Sequence, residues 1–239
     1  MTSKKLILIL VVLIALVGLV FLFKKATPAI SKDVHIEESA TTYTIKADVS
    51  RTGNTSLDAS IEAYVTAQAR EFAEMYAPTM FSEEDFKALG FADGRQYELV
   101  IKGGQWKYKK LTGVTIELYT FTGGAHGSTL YVPFIADEAG IPITLESLFV
   151  PGAPYLDRVS EGVKPLLKAQ LDEGQMYTED FFTTGTTASE GNFFIDEIGS
   201  EGITFIFQQY QVAPYVAGTP RVTLSLASLA DILNPAYFE

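Results

Sequence analysis

The sequence contains no cysteine, and its 239 residues hold only two histidines, His35 and His126. The missing thiols exclude a disulfide scaffold, a thiolate zinc site, an iron–sulfur cluster, a cysteine nucleophile and a lipidated N-terminal cysteine. A zinc site needs about three protein ligands, and neither His-x-His nor His-x-x-x-His spacing occurs. A site of two histidines plus carboxylates stays open without such spacing behind it, and the expectation is no metal and no cofactor. Basic residues are also scarce, 18 Lys and Arg against 29 Asp and Glu for a formal charge of −11. That balance counts against a phosphate-binding surface, and no nucleic-acid partner is expected. No Gly-x-Ser-x-Gly is found, and no Lys-Ser/Thr follows the glycine-rich stretch at 123–127, so neither a serine hydrolase nor a phosphate loop has a motif behind it. What is present is apolar: 47% hydrophobic residues, with 12 Tyr and 16 Phe. Such a chain can bury a core, and its length suits one large or two small domains.

Leu6 to Phe23 form 18 consecutive residues without a polar side chain. As a helix at ~1.5 Å per residue they would span about 27 Å, close to the hydrocarbon thickness of a bilayer. A cleaved signal peptide would have a shorter apolar region and a small-residue cleavage site. An uncleaved anchor over residues 1–25 is the better reading. Lys4 and Lys5 flank one end and Lys24 and Lys25 the other, so the positive-inside bias is slight; it is read with the N-terminus inside. The expected localisation is the cell membrane, single-pass, with the bulk of the chain extracytoplasmic and Leu6–Phe23 in contact with lipid. Setting aside those four lysines, residues 26–239 carry 14 basic against 29 acidic side chains, a balance of −15.

Residues 26–33 read as a stalk. Beyond it, Val34–Glu37 and Thr42–Val49 alternate as strands, and the apolar period lengthens to that of a helix from Leu57 to Tyr76. Ser82-Glu83-Glu84-Asp85 resembles a capping sequence for a short helix stopped by Gly90. Residues 95–136 read as antiparallel strands, with Gly103-Gly104 as a hairpin turn. A long helix from Tyr155 to Leu171 contains Pro165, which predicts a kink or a division. Strands follow at 193–195, 203–207 and 222–226, with a loop at 210–218 and a last short helix begun near Ser228 and closed by Asn234-Pro235. Helices and strands in blocks predict an α+β fold: an antiparallel-sheet ectodomain with packed helices behind one N-terminal transmembrane helix. The expected division is 34–140 and 141–239.

Two stretches carry a resemblance. Tyr119-Thr120-Phe121-Thr122-Gly123-Gly124-Ala125-His126-Gly127 resembles a strand and loop of the domain that precedes the deacetylase in PdaC-type peptidoglycan deacetylases. Asn192-Phe193 onward, through Phe207-Gln208-Gln209-Tyr210-Gln211-Val212-Ala213-Pro214-Tyr215-Val216-Ala217-Gly218 to Leu229, resembles the C-terminal domain of RsiV-type membrane-anchored anti-sigma factors, whose outer part senses lysozyme. The resemblance covers about residues 36–235 and implies both domains in tandem behind one membrane helix. It does not carry over anti-sigma activity, because Met1–Lys5 is too short for a sigma-binding segment, nor deacetylation, because no deacetylase domain is expected before Glu239. It implies an envelope-facing binding or sensor module whose partner is a cationic envelope protein such as lysozyme, or peptidoglycan fragments.

The candidate ligand-binding residues are Tyr119, Gly123, Gly124, His126, Tyr210, Pro214 and Tyr215. His126 could hydrogen-bond within its turn, touch a ligand, or act as an acid–base group with a nearby carboxylate. Tyr210 and Tyr215 could pack as a corner or present a contact surface, since tyrosine joins a large apolar face to a polar tip. The acidic surplus could be solvated helix faces or a patch that steers a cationic partner. A binding module without catalytic residues is expected; a peptidoglycan-modifying enzyme using His126 and a structural envelope protein are the alternatives.

Overall fold

Alternating apolar residues build the first half into a five-stranded sheet. In the computed structural model, which describes residues 33–239, its strands are β1 (Val34–Ser39), β2 (Tyr43–Val49), β3 (Tyr97–Tyr108), β4 (Leu111–Phe121) and β5 (Ser128–Asp137), side by side in that order. The expected anchor at Leu6–Phe23 lies outside the described residues. Within them, no helix is long and apolar enough to cross a membrane.

All neighbouring pairs in this sheet are antiparallel except β2 and β3, which run parallel. The expectation of an antiparallel sheet is corrected at that one pair. Parallel neighbours need a crossover, and α1 (Thr55–Met75) is its longest element. Leu57, Ile61, Val65, Ala69 and Phe72 form the buried stripe of α1 and share a cluster with Ile45, Leu99, Ile101 and Ile116 of the sheet. Asn54 caps the helix by accepting from Leu57 N at 3.2 Å. Asp58 is buried, yet it accepts from Thr52 N, Thr52 Oγ1 and Gly53 N at 2.8, 2.7 and 3.2 Å, so its charge stays hydrogen-bonded. The capping sequence starts α2 (Glu83–Ala88) with Ser82 and Asp85 in a reciprocal box, and Gly90 follows at φ 76°.

Gly103-Gly104 is not a turn. β3 runs through both glycines, and the hairpin bends at Lys109, with φ 48°, and Lys110. Gly103 is a packing position: a Cβ there would fall 2.7 Å from Val49 Cγ1 and 3.1 Å from Val114 Cγ1. Glycine inside a strand marks such close approaches as well as turns.

The second half forms a three-stranded antiparallel sheet, β6 (Phe194–Ile198), β7 (Gly202–Ile206) and β8 (Arg221–Ser225), in that order. The long helix is α3 (Tyr155–Glu173); it is one helix despite Pro165. Its Val159, Val163, Leu167 and Leu171 are buried with Phe205 and Leu224 of the sheet. A short α4 (Glu179–Gly185), unseen in the sequence, follows it. The last segment differs from expectation: α5 (Leu226–Leu229) is capped by Ser225, and Asn234-Pro235 opens α6 (Pro235–Phe238) rather than closing a helix. Asn and Pro suit a helix start as the cap and first residue.

Residues Asp33–Glu239 make up one compact unit. Trp106, Leu111 and Ile135 of the five-stranded sheet belong to the second hydrophobic cluster, so the two sheets share apolar packing. Thr115 Oγ1 donates to Asp196 O across the same contact at 2.8 Å. Trp106 lies flat over Gly113, where a Cβ would come within 2.3 Å of its ring. Among the described residues its indole Nε1 is buried without a partner.

Candidate functional site

Most of the candidate residues meet where the β4–β5 loop, residues 122–127, faces the segment that leaves β7. Three glutamines dock that segment. Gln208 holds both backbone groups of Tyr131: its Oε1 accepts from Tyr131 N at 2.9 Å and its Nε2 donates to Tyr131 O at 2.8 Å. Gln209 Oε1 accepts from Thr129 N at 2.9 Å. Gln211 turns the other way, donating to Gly185 O at 3.0 Å and Asn192 O at 2.8 Å. Val212 and Ala213 are buried behind it. The sequence reading quoted these glutamines but gave them no role. The available signal was three long amides close together between two strands, since a primary amide offers the donor and acceptor that a strand edge needs.

With its neighbours so fixed, Tyr215 stacks on His126, the ring centroids 3.8 Å apart and the planes 20° from parallel. Tyr215 Oη donates to Gly127 O at 3.2 Å, and His126 Nδ1 lies 3.0 Å from the same carbonyl. Tyr210 stands beside Tyr215 at 5.7 Å, about half exposed, with φ 64°. A tyrosine in the left-handed region is uncommon and is sustained only by its surroundings. Pro214 caps the 3-10 turn Tyr215–Ala217. Tyr119 completes the group from below: a Cβ on Gly127 would fall 2.4 Å from its ring. Only glycine lets the loop close onto that ring.

Five of the seven candidates, Tyr119, His126, Tyr210, Pro214 and Tyr215, thus belong to one ledge of rings. Gly123 and Gly124 do not. They line a separate cavity with Phe91, Arg95, Tyr97 and Phe121. Among the described residues no carboxylate hydrogen-bonds to His126 or forms an ion pair with it, and no group of three His, Asp or Glu is placed to hold a metal. The ledge can offer stacking faces and hydrogen bonds.

Replacing Gln208 with alanine should leave Tyr131 N and O without their partners. The expected loss is about 1–3 kcal/mol of unfolding free energy, measurable as a lower urea midpoint at unchanged slope.

Residues 146–227, from the 3-10 turn before α3 to the start of α5, match the family described as "Protein of unknown function (DUF3298)". Over 132 residues the chain is 26% identical to the peptidoglycan-N-acetylmuramic acid deacetylase PdaC of Bacillus subtilis (strain 168); the match covers 55% of this chain and 28% of that protein. The chain therefore spans well under half the length of that relative. Two solved structures share the fold. A DUF3298 family protein (PA4972) from Pseudomonas aeruginosa PAO1 superposes with a TM-score of 0.57 at 19% identity, covering 85% of this chain and 94% of that one. A DUF3298 family member (BF2082) from Bacteroides fragilis NCTC 9343 gives 0.55 at 20% identity, over 85% and 92%. Over residues 146–227 the chain is thus similar to the DUF3298 family.

Proposed function

We propose that the protein is a non-catalytic binding or sensor module of the cell envelope, held at the membrane by Leu6–Phe23 with residues 26–239 outside. The observation that carries this reading is the ledge: two loops distant in sequence are locked together so that His126, Tyr215 and Tyr210 stand as a preassembled set of rings. Rigid aromatic side chains lose little entropy on contact and recur at binding hot spots. The hydrogen bonds of Gln208, Gln209 and Gln211 supply the rigidity. The acid–base alternative for His126 has no paired carboxylate among the described residues in its support.

The ligand is a cationic envelope protein such as lysozyme, or a peptidoglycan fragment. Two things favour it: the −15 balance of residues 26–239, which steers basic partners, and the similarity to a protein named as a peptidoglycan-N-acetylmuramic acid deacetylase. The tandem of a PdaC-type and an RsiV-type domain is part of the same proposal.

Calorimetry of the full chain in lipid nanodiscs, titrated with lysozyme and with soluble muropeptides, tests it. Heat of binding is expected with one of them, and Tyr215→Ala should weaken that binding at least ~10-fold, the usual scale for a hot-spot tyrosine. No heat with either ligand, or full affinity in Tyr215→Ala, overturns it.

A further inference from the structure

The cavity that takes Gly123 and Gly124 is distinct from the ring ledge, although one loop serves both. It has a volume of about 710 Å³, within the range of small-molecule sites. Its apolar wall is aromatic: Phe91 and Tyr97 meet edge to face at 5.2 Å, and Phe121 closes the end of β4. Leu89, 40% exposed, stands at the same cavity.

One cation lines this space. The chain has five arginines. Arg51, Arg70, Arg158 and Arg221 each pair with a carboxylate. The Arg95 guanidinium has no hydrogen bond or ion pair among the described residues, in a chain with 29 acidic side chains to choose from. The residue is exposed, with its backbone and stem set against Gly90. Arg95 N donates to Gly90 O at 3.2 Å, and its side chain crosses Gly90 so closely that a Cβ there would sit 2.9 Å from Arg95 Cδ. Opposite, Gly123 at φ 91° and Gly124 at φ 89° have backbone N–H groups that bond to nothing among the described residues. Gly123 rests against the Tyr97 ring, a Cβ there falling 3.8 Å from it.

We propose that this cavity binds a carboxylate carried on an apolar body. The guanidinium fork matches a carboxylate through two parallel hydrogen bonds, and the free N–H groups of Gly123 and Gly124 add donors on the loop side. The rings of Phe91, Tyr97 and Phe121 would cover the apolar part. A wholly apolar ligand would leave the guanidinium without a partner as it loses water. A multiply charged anion would meet the repulsion of a strongly negative protein, which a single carboxylate feels least. The carboxylate could belong to a fatty acid or to the end of a short peptide.

The test is calorimetry of the full chain in nanodiscs, with empty nanodiscs subtracted, using 3-phenylpropanoate and its uncharged amide. The acid should bind at least ~10-fold more tightly than the amide, and Arg95→Gln should erase that preference at an unchanged melting temperature. Tyr215→Ala should leave the preference intact, which separates this site from the ring ledge. Octanoate and N-acetyl-alanyl-phenylalanine then assign the source: tighter octanoate names a lipid and tighter peptide names a chain end. Equal affinity for acid and amide, no binding of either, or an acid preference that survives Arg95→Gln overturns the proposal.

Discussion

Phe207→Ala should be among the most destabilising single substitutions in the chain, costing about 3–5 kcal/mol. The ring is fully buried in the second hydrophobic cluster, edge-on to Phe193 with centroids 6.5 Å apart. Truncation removes its transfer energy and leaves a cavity that a sheet-and-helix core fills poorly. For a unit of this size that is a fall in melting temperature of about 6–20 °C, read by calorimetry or circular dichroism. Phe207 also immediately precedes Gln208 and donates its N–H to Pro220 O at 2.9 Å. Its loss should therefore weaken ligand binding at temperatures where the protein is still folded. A drop under ~1 kcal/mol would mean that the ring is not packed as described.

Gly185→Ala should come second, and its sign is the informative part. Local preference alone favours alanine in a helix by about 1 kcal/mol. Gly185, however, ends α4 against the glutamine-anchored segment: a Cβ would fall 2.0 Å from Gln211 O and 2.7 Å from its carbonyl carbon. These are backbone atoms, so no side chain can swing aside. Overpacking of this kind typically costs 1–3 kcal/mol, and the displaced strand of chain also loses the bond from Gln211 Nε2 to Gly185 O. A net loss of about 2 kcal/mol is expected, together with weaker binding at the ledge, because Tyr215 lies four residues beyond Gln211. Gly191→Ala is the control. Nothing lies within 4 Å of a Cβ there, so chemical denaturation should move by less than ~0.5 kcal/mol. Equal midpoints for both variants would contradict the described packing at α4.

The elements with strong periodicity were legible in the sequence. The stripe of α1, the buried face of α3, the capping box at Ser82 and the alternation of β2 all follow from spacing that one residue pattern satisfies. What escaped was decided by tertiary contact. Gly103-Gly104 reads as a turn because glycine serves turns, yet here Gly103 makes room for Val49 and Val114, which lie far off in the sequence or across the hairpin. The parallel pairing of β2 with β3 leaves no local trace, since register between distant strands is chosen by what α1 must cover. The site was half legible: Tyr-x-x-Ala-Pro-Tyr and Gly-Gly-Ala-His stood out as unusual stretches. Nothing local said that His126 and Tyr215 would stack while Gly123 and Gly124 faced Arg95. That partition depends on which side of a six-residue loop meets which neighbour.

Gln208 has a consequence for the protein's solubility. β5 is the last strand of its sheet, and a bare final strand is a template on which another molecule can continue the ladder. By occupying both polar groups of Tyr131 with one amide, the chain spends a side chain as a stopper at that border. The opposite border, β1, carries exposed Glu37 and Glu38, whose like charges repel an incoming copy. An incoming copy would thus be refused at both margins, one plugged by the chain's own glutamine and the other guarded by charge.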